Sequence, residues 1–175
     1  MSHWENVGKS NEWYTPEYIF NALECKFDLD VAHPDKKTNV PCLHWISKNS
    51  LSSEWDGFIW MNSPFEGRNG LTPWLDKFFY HGNGICLTPD RTSVTWWQDA
   101  KKKSDAVLYV HGKIKFIDGD GREGKSPSNG TTLFACGDKG VEALLNAQKN
   151  GLGSCDILNK RMWIKHNIIN QLEDK

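Results

Sequence analysis

Four consecutive side chains of different chemistry follow an apolar run near the middle of the chain. The run FIWMN is typical of a buried strand, and it leads into Asn62, Ser63, Pro64 and Phe65. The carboxyl end of a parallel strand opens into the crevice in which open α/β sheets bind ligands. We therefore expect this amide, hydroxyl, rigid ring and aromatic ring to face a substrate. The alternative is an ordinary turn, because Asn, Ser and Pro all favour turns.

The surrounding elements alternate between helix and strand, as a sheet with such a crevice requires. Apolar spacing and Thr-Pro starts favour helices over residues 15–24, 72–81, 93–104 and 141–149 and from Lys160 onward. Runs rich in apolar residues favour strands over residues 26–32, 57–62, 84–89, 106–110, 113–118 and 131–137. A Gly-rich loop over residues 118–130 is predicted to join the last two strands as a hairpin.

This order predicts an α/β fold with a mostly parallel sheet, an antiparallel edge hairpin and helices on both faces. The length of 175 residues fits a single domain, residues 1–175, that ends in carboxyl-terminal helices over about residues 138–172. The segment 33–57 is rich in Pro and Asn, and the short strand or helix that it has room for is not placed by the sequence. Since such folds host many functions, the site residues must identify the chemistry.

Composition narrows the class of protein. The net charge of -1 and the pI of about 6.6 exclude a global basic field that would draw the chain onto nucleic acid, so such binding needs local patches. Five cysteines without a CxxC pair indicate reduced thiols, and we expect no disulfide framework and no metal site. No apolar run approaches a membrane span, and the polar amino terminus is unlike a signal peptide. We therefore expect a cytoplasmic protein.

The motifs, taken in order, resemble a known family. WYTP, FDLDVA, NSPF, WLDKF, GICLTPDRT with WWQ, GKIKF and TTLFACG together look like the phage DNA N-6-adenine methyltransferase family, over about Trp13 to Gly137. The resemblance implies a Rossmann-like fold, S-adenosylmethionine as cofactor, DNA as partner and a bacterial host cell as location. The family signature after the fourth core strand is Asn or Asp, Pro, Pro and an aromatic residue. Ser63 stands at its second position here.

The implied reaction explains this tetrad. Adenine N6 is a poor nucleophile because its lone pair is delocalised into the ring. The side-chain oxygen of Asn62 and the carbonyl of Ser63 would accept the two amine hydrogens, so that the lone pair turns towards the methyl donor. Phe65 would stack on the extruded base, and Pro64 would stiffen the turn. Methylation of cytosine N4, which uses the same tetrad, and a member of the family without catalytic activity remain alternatives.

The resemblance also assigns cofactor residues. It places Tyr14, Thr15 and Pro16 near the methionine part of S-adenosylmethionine, and the first strand contributes Phe27, Asp28 and Asp30. A carboxylate there would pair with the ammonium group or accept from the ribose hydroxyls. Thr15 and Pro16 also suit a simple helix start, and one of the two aspartates also suits a surface charge. Asn49 lies where the family tends to have an acidic residue near the cofactor adenine, and it would bond an adenine edge.

For DNA, loops after strands supply candidate phosphate contacts at Arg68, Arg91 and Arg122. Phe134 matches the family position of a second aromatic residue that lines the base pocket, with a core phenylalanine as the alternative. The run DGDGREG lacks the spacing of a calcium loop and is read as a turn.

Overall fold

The computed structural model describes residues 13–34, 39–64 and 70–159, together with Arg161 and Ile164. Its strands are β1 Trp13–Tyr14, β2 Phe27–Asp30, β3 Cys42–Trp45, β4 Ile59–Met61, β5 Gly84–Pro89, β6 Ala106–Val110, β7 Ile117–Asp118, β8 Thr131–Cys136 and β9 Gly153–Ile157. Its helices are α1 Glu17–Leu23, α2 Thr72–His81, α3 Thr95–Lys103 and α4 Asp138–Lys149, with a 3-10 turn over Ser50–Ser52.

Seven of these strands form one mixed sheet in the order β3-β2-β4-β5-β8-β6-β9. The pairs β3/β2, β2/β4 and β4/β5 are parallel, whereas β5/β8, β8/β6 and β6/β9 are antiparallel. The α/β prediction is confirmed, but the antiparallel part is half of the sheet instead of one edge hairpin. Because β8 runs against both β5 and β6, the strands β2, β4, β5 and β6 all end at the same edge, here called the carboxyl edge.

The predicted hairpin between residues 113–118 and 131–137 is wrong. β7 pairs with β1 in a separate two-stranded sheet, while β8 lies inside the main sheet between β5 and β6. All six residues of β8 are buried, which suits a central strand, whereas β7 is half-buried and short. The Gly-rich run forms a tight turn in which the Asp118 carboxylate accepts from the backbone N–H groups of Asp120 and Arg122.

Alternating side chains divide the core between the two faces of the sheet. One face packs against α1 and α4 through Phe58, Trp60, Ile85, Leu87, Ala106, Leu108, Leu133 and Ala135. The other packs against α2 and α3 through Ile59, Met61, Cys86, Val107, Phe134 and Cys136. The prediction of helices on both faces is therefore confirmed. In β4, β5, β6 and β8, the residue number thus decides which face of the sheet a side chain covers.

Two elements near the chain ends differ from prediction. The carboxyl-terminal helical prediction holds for α4, but β9 follows it, and most of the chain from Lys160 onward lies outside the described residues. Thr15 does not cap α1, whose amino-terminal cap is Pro16 without a side-chain bond. Within the described ranges, no helix is long and apolar enough to cross a membrane.

Candidate active site at the carboxyl edge of the sheet

Asn62 is the first residue beyond β4, and its side chain lies on the face of the sheet that α1 covers. Its amide nitrogen donates to the hydroxyl oxygen of Thr15 at 3.3 Å. Thr15 is itself buried, and its carbonyl accepts from the side-chain amide of Asn39. Because the amide nitrogen of Asn62 is held by Thr15, its amide oxygen remains as the acceptor that a substrate amine requires.

Beside Asn62 lies a small, half-open cleft between β1, the end of β2 and the end of β4. The predicted residues Tyr14, Thr15, Asp30 and Asn62 all line it, so the fold brings together side chains from three separate segments. The full lining consists of Trp13, Tyr14, Thr15, Asp30, Ala32, His33, Pro34, Asn39, Val40, Trp60 and Asn62.

Asp30 is the only acidic side chain that lines the cleft among the described residues, and it is 3% exposed. One carboxylate oxygen accepts from the backbone N–H of Ala32 at 3.1 Å. The other lies 3.4 Å from Nδ1 of His33, whose ring packs on Trp45 at 5.5 Å. Burial raises the pKa of the Asp30 carboxyl to about 7, although the Ala32 N–H opposes this shift. A fixed cation in the cleft would favour the charged form.

Sequence reasoning missed His33 and Asn39, which also line this cleft. Both lie in the breaker-rich segment that the sequence could not place. The available signal was position, since His33 follows Asp30 by three residues, directly after the carboxyl end of β2, where ligand-binding side chains of α/β sheets concentrate.

Ser63 faces away from the cleft, because it shares the parity of Ile59 and Met61 on the α2/α3 face. It is 2% exposed, and its hydroxyl has no hydrogen-bond partner among the described residues. Pro64, by contrast, is exposed. Ser63 can therefore contribute to the cleft beside Asn62 through its backbone groups, but not through its side chain. The predicted Phe65 and Arg68 lie outside the described residues.

Two predicted cofactor residues of β2 lie away from the cleft. The carboxylate of Asp28 accepts from the backbone N–H of Phe58 at 2.7 Å, near the start of β4 and thus towards the opposite, amino edge of the sheet. Phe27 is 1% exposed and stacks on Phe58 with a ring separation of 4.9 Å. The structure therefore does not bring these two predicted residues together with Asn62: their side chains contact the core and the β2–β4 junction and do not line the cleft.

Phe134 and Asn49 also differ from their predicted roles. Phe134 has no exposed surface and packs edge-on against Trp97 at 5.4 Å, so it is a core residue, and a ring enclosed in this way does not stack on a base. Asn49 is exposed before the 3-10 turn, and its carbonyl accepts from the hydroxyls of Ser52 and Ser53. It does not line the cleft.

Two of the predicted DNA-contact arginines, Arg91 and Arg122, border the carboxyl edge. Arg91 is exposed in the loop that follows β5, the neighbour of β4. Arg122 is exposed in the turn that follows β7. β7 pairs with β1 through Trp13–Asp118 and Tyr14–Ile117, and β1 in turn lines the cleft.

Pro16, the remaining predicted residue, is buried at the start of α1 directly after Thr15. No group of three or more metal-binding side chains occurs in the ranges that the structure describes.

Comparison with known proteins identifies the family. The sequence model of the family described as DNA N-6-adenine-methyltransferase (Dam) matches residues 4–140, more than half of the chain. The chain belongs to this family. Residues 4–140 include Thr15, Asp30, Asn39 and Asn62, so all the polar side chains that shape the cleft fall within the matched part of this methyltransferase.

A curated relative carries the same description. The DNA N-6-adenine-methyltransferase of Haemophilus phage HP1 (strain HP1c1) is 25% identical over 134 residues, which cover 71% of this chain and 78% of the phage protein. No solved structure matches the chain significantly. Membership of the family therefore rests on sequence.

Proposed function

We propose that this methyltransferase transfers the methyl group of S-adenosylmethionine to N6 of adenine in DNA, with Asn62 as the residue that receives the amine. The observation that carries the proposal is the Thr15–Asn62 hydrogen bond. It fixes an amide at the carboxyl edge, 3.3 Å from the hydroxyl of Thr15 and beside a cleft with one buried carboxylate. This pairing of amine acceptor and anion suits a family that acts on an exocyclic amine.

The cleft is the proposed cofactor site. S-adenosylmethionine would supply an electrophilic methyl group on a sulfonium centre. Asp30 would hold the ammonium group or accept from the ribose hydroxyls, and both interactions reward a buried carboxylate. Tyr14, Thr15 and Pro16 would border the methionine part. The chemistry of this lining fits the cofactor, because the described residues offer one anion for its ammonium or ribose groups, an amide and aromatic surfaces.

Asn62 would act by orientation. Its amide oxygen and the carbonyl of Ser63 would accept the two amine hydrogens, which localises the nitrogen lone pair and directs it at the methyl group. A neutral amide does not take up a proton at neutral pH, so the surplus proton would leave to water after the transfer. Catalysis would then consist mostly of positioning, and Thr15 would contribute by fixing the rotamer of Asn62.

DNA would approach the carboxyl edge. Arg91 and Arg122 border it and would contact phosphates. The lysine triplet Lys101–Lys103 is less suitable, because α3 runs away from this edge and ends in these lysines. Lys102 pairs with Asp99 at 3.3 Å and Lys103 with Asp76 at 3.4 Å. We further propose a single Rossmann-like methyltransferase domain over residues 1–175 that acts in the cytoplasm of a bacterial host cell.

Purified protein tests the proposal directly. After incubation with S-adenosylmethionine and unmethylated DNA, digestion to nucleosides and mass measurement should show N6-methyladenine. The methyl-transfer rate of the Asn62→Ala variant should fall by about 30- to 900-fold, because a hydrogen bond that matters in the transition state contributes roughly 2–4 kcal/mol. The Asn146→Ala variant removes an amide from α4 that lines neither the cleft nor its surroundings, and it should keep its activity. Methylcytosine as product, or full activity of Asn62→Ala, would contradict the proposal.

A further inference from the structure

A second concavity opens at the same edge of the sheet. It is an open groove of about 430 Å³ between α1, the end of β6 and the turn that joins α4 to β9. Its lining consists of Tyr18, Asn21, Ala22, His111, Asn150, Gly151 and Leu152. None of these residues belongs to the cleft that holds Asp30 and Asn62.

The topology fixes the distance between the two concavities. His111 directly follows β6, and Asn62 directly follows β4. Because β5 and β8 lie between these strands, the two strand ends are three strand spacings apart, about 14 Å. The amino-terminal part of α1 lies between the concavities, since Tyr14 and Thr15 line the cleft and Tyr18 and Asn21 line the groove. Both concavities therefore face whatever molecule covers the carboxyl edge.

The chemistry of the groove suits nucleic acid. Its described lining offers a phenol, an imidazole and two side-chain amides, with no acidic side chain among these residues. The Glu24 carboxylate bonds Asn150, and Glu123 lies near Tyr18, so two acidic groups stand at the margin of the groove. None of the hydrogen bonds among the described residues uses the side chains of Tyr18, Asn21 or His111, so these groups are available to a ligand. Tyr18 is 50% exposed. Burial and the neighbouring Glu123 raise the pKa of its hydroxyl, which therefore stays a hydrogen-bond donor at neutral pH.

The walls of the groove are fixed by contacts that leave these three side chains out. The side-chain amide of Asn150 donates to the carbonyl of Ala22 and to the carboxylate of Glu24, both at 3.0 Å. The backbone N–H of His111 donates to the carbonyl of Leu152 at 2.8 Å. The groove is thus formed before any ligand binds, which lowers the entropic cost of binding.

We propose that this groove binds the DNA strand that flanks the target nucleotide. The inference rests on the proposed function, because it requires the target base to lie at Asn62. A separation of about 14 Å corresponds to about four nucleotide steps of 3.4 Å along a strand. Tyr18 and His111 would stack on or bond to bases within that reach, and Asn21 would bond to a base edge or to the sugar-phosphate backbone. DNA therefore extends from the cleft across α1 into the groove.

A length series of DNA duplexes tests the proposal with purified full-length protein. Duplexes carry one target adenine and a constant arm on one side, while the other arm is shortened from eight base pairs to two, and the series is repeated for the opposite arm. The double variant Asn21→Ala/His111→Ala removes the groove contacts. Tyr80→Ala is the matched surface control, because Tyr80 is 94% exposed on α2, on the other face of the sheet. Calorimetry with S-adenosylmethionine is run on each protein.

The expected result has three parts. Wild-type protein and Tyr80→Ala should lose about tenfold or more in DNA affinity when one arm falls below about four base pairs. The double variant should bind long duplexes about tenfold more weakly and show little dependence on that arm, while its cofactor affinity stays unchanged. Equal arm dependence in the double variant and the wild type would overturn the inference. Loss of cofactor binding or methyl transfer in the wild type would instead contradict the proposed function, so the two failures are distinguishable.

Discussion

Asp28 and Asp30 lie two residues apart on the same strand, but they serve opposite edges of the sheet. Asp30 ends β2 at the carboxyl edge and lines the cleft with Asn62. Asp28 lies towards the amino edge, where its carboxylate accepts from the N–H of Phe58 at 2.7 Å. Gly57 fits tightly there, since a Cβ atom added to it would lie 2.5 Å from the Asp28 carboxylate, and its φ of 72° suits only glycine well.

The difference between the two edges is one of available space and partners. At the amino edge, the Asp28 carboxylate accepts from the backbone at the start of β4 and lies against Gly57, outside the cleft. At the carboxyl edge, the carboxylate is buried with one backbone donor and an imidazole beside an open cleft. The same residue type therefore stabilises the fold at one edge and is left for a ligand at the other.

The largest effect should come from Asp30. Asp30→Ala removes the only carboxylate that lines the cleft within the described ranges, so S-adenosylmethionine affinity should fall by roughly a hundredfold, about 3 kcal/mol for a charge-assisted bond. Calorimetry measures this loss, and circular dichroism checks that the variant is folded. A folded Asp30→Ala variant with wild-type cofactor affinity would show that the cleft is not the cofactor site.

The second-largest effect should come from Asp28. Here the free energy of unfolding should fall while the cofactor affinity stays unchanged, the opposite of the result expected for Asp30. Asp28→Ala leaves the N–H of Phe58 without its partner, so the free energy of unfolding should fall by about 1–3 kcal/mol. Cofactor affinity, measured at a temperature where the variant is folded, should stay within about twofold. The comparison of the two edges fails if Asp28→Ala weakens cofactor binding as much as Asp30→Ala does.

The central part of the fold could be predicted from sequence because its strands are apolar on both sides. β4, β5, β6 and β8 all have the pattern of buried strands. The predicted bounds match for β5 and β6, and they differ by at most one residue for β8 and by at most two for β4. The edge strands could not be predicted in this way. β3 is CLHW, with Leu43 and Trp45 exposed, and β9 is GSCDI, and both are held by pairing with one neighbour. The positions of β7 and β8 in the sheets also depend on which strands they pair with, and the local sequence pattern does not reveal those partners.

Sequence could predict a residue of the candidate site only when that residue lies at the carboxyl end of a strand. Asn62 and Asp30 follow from the position of buried runs and from resemblance to the family. Phe134, Phe27 and Asp28 were misassigned because motif position does not tell which way a side chain points or what already bonds it. The 2-residue alternation places Phe134 under α3, while Thr132, two residues earlier, bonds the indole of Trp97 at 3.1 Å. Only the register of β8 in the sheet makes this visible.

A third, smaller effect concerns pH. Burial raises the pKa of Asp30 to about 7, and a cationic cofactor group requires its charged form. Cofactor affinity should therefore fall about tenfold from pH 8 to pH 6. The folded protein keeps a proton on Asp30 that the unfolded chain releases above about pH 4, so this group makes stability fall as pH rises from about 4 to 7 and level off above. Asp30→Asn should remove that slope. Calorimetry and denaturant unfolding at pH 5, 6, 7 and 8 measure both trends.

The exposed histidine of β3 provides a control for the pH experiment. His44→Asn changes an ionisable group that lies on the strand next to β2 but does not line the cleft. Its affinity profile should match that of the wild type. A flat profile in the wild type would mean that Asp30 is already charged at pH 6 or does not contact the cofactor, and the Asp30→Ala result then separates these two cases.

The smallest change in activity should come from Ser63. Asn62 and Ser63 follow β4 directly, and their side chains point to opposite faces of the sheet. Asn62 faces the cleft, whereas the Ser63 hydroxyl is 2% exposed on the α2/α3 face and has no partner among the described residues. Ser63→Ala therefore breaks no described hydrogen bond and removes a buried polar atom, so stability should stay equal or rise by up to about 1 kcal/mol.

Methyl transfer should change little in the same variants, because the acceptor that the reaction needs at this position is the backbone carbonyl. Ser63→Ala should keep activity within about threefold. Ser63→Pro should gain roughly 0.4–1 kcal/mol in stability if the backbone accepts the ring, with activity similar to or slightly above the wild type. Denaturant unfolding and turnover, measured for both Ser63 variants and for Asn62→Ala, rank the three variants by stability and by activity. Should Ser63→Ala lose as much activity as Asn62→Ala while remaining folded, the hydroxyl would have to act on the substrate, and the division of roles across this strand end would be wrong.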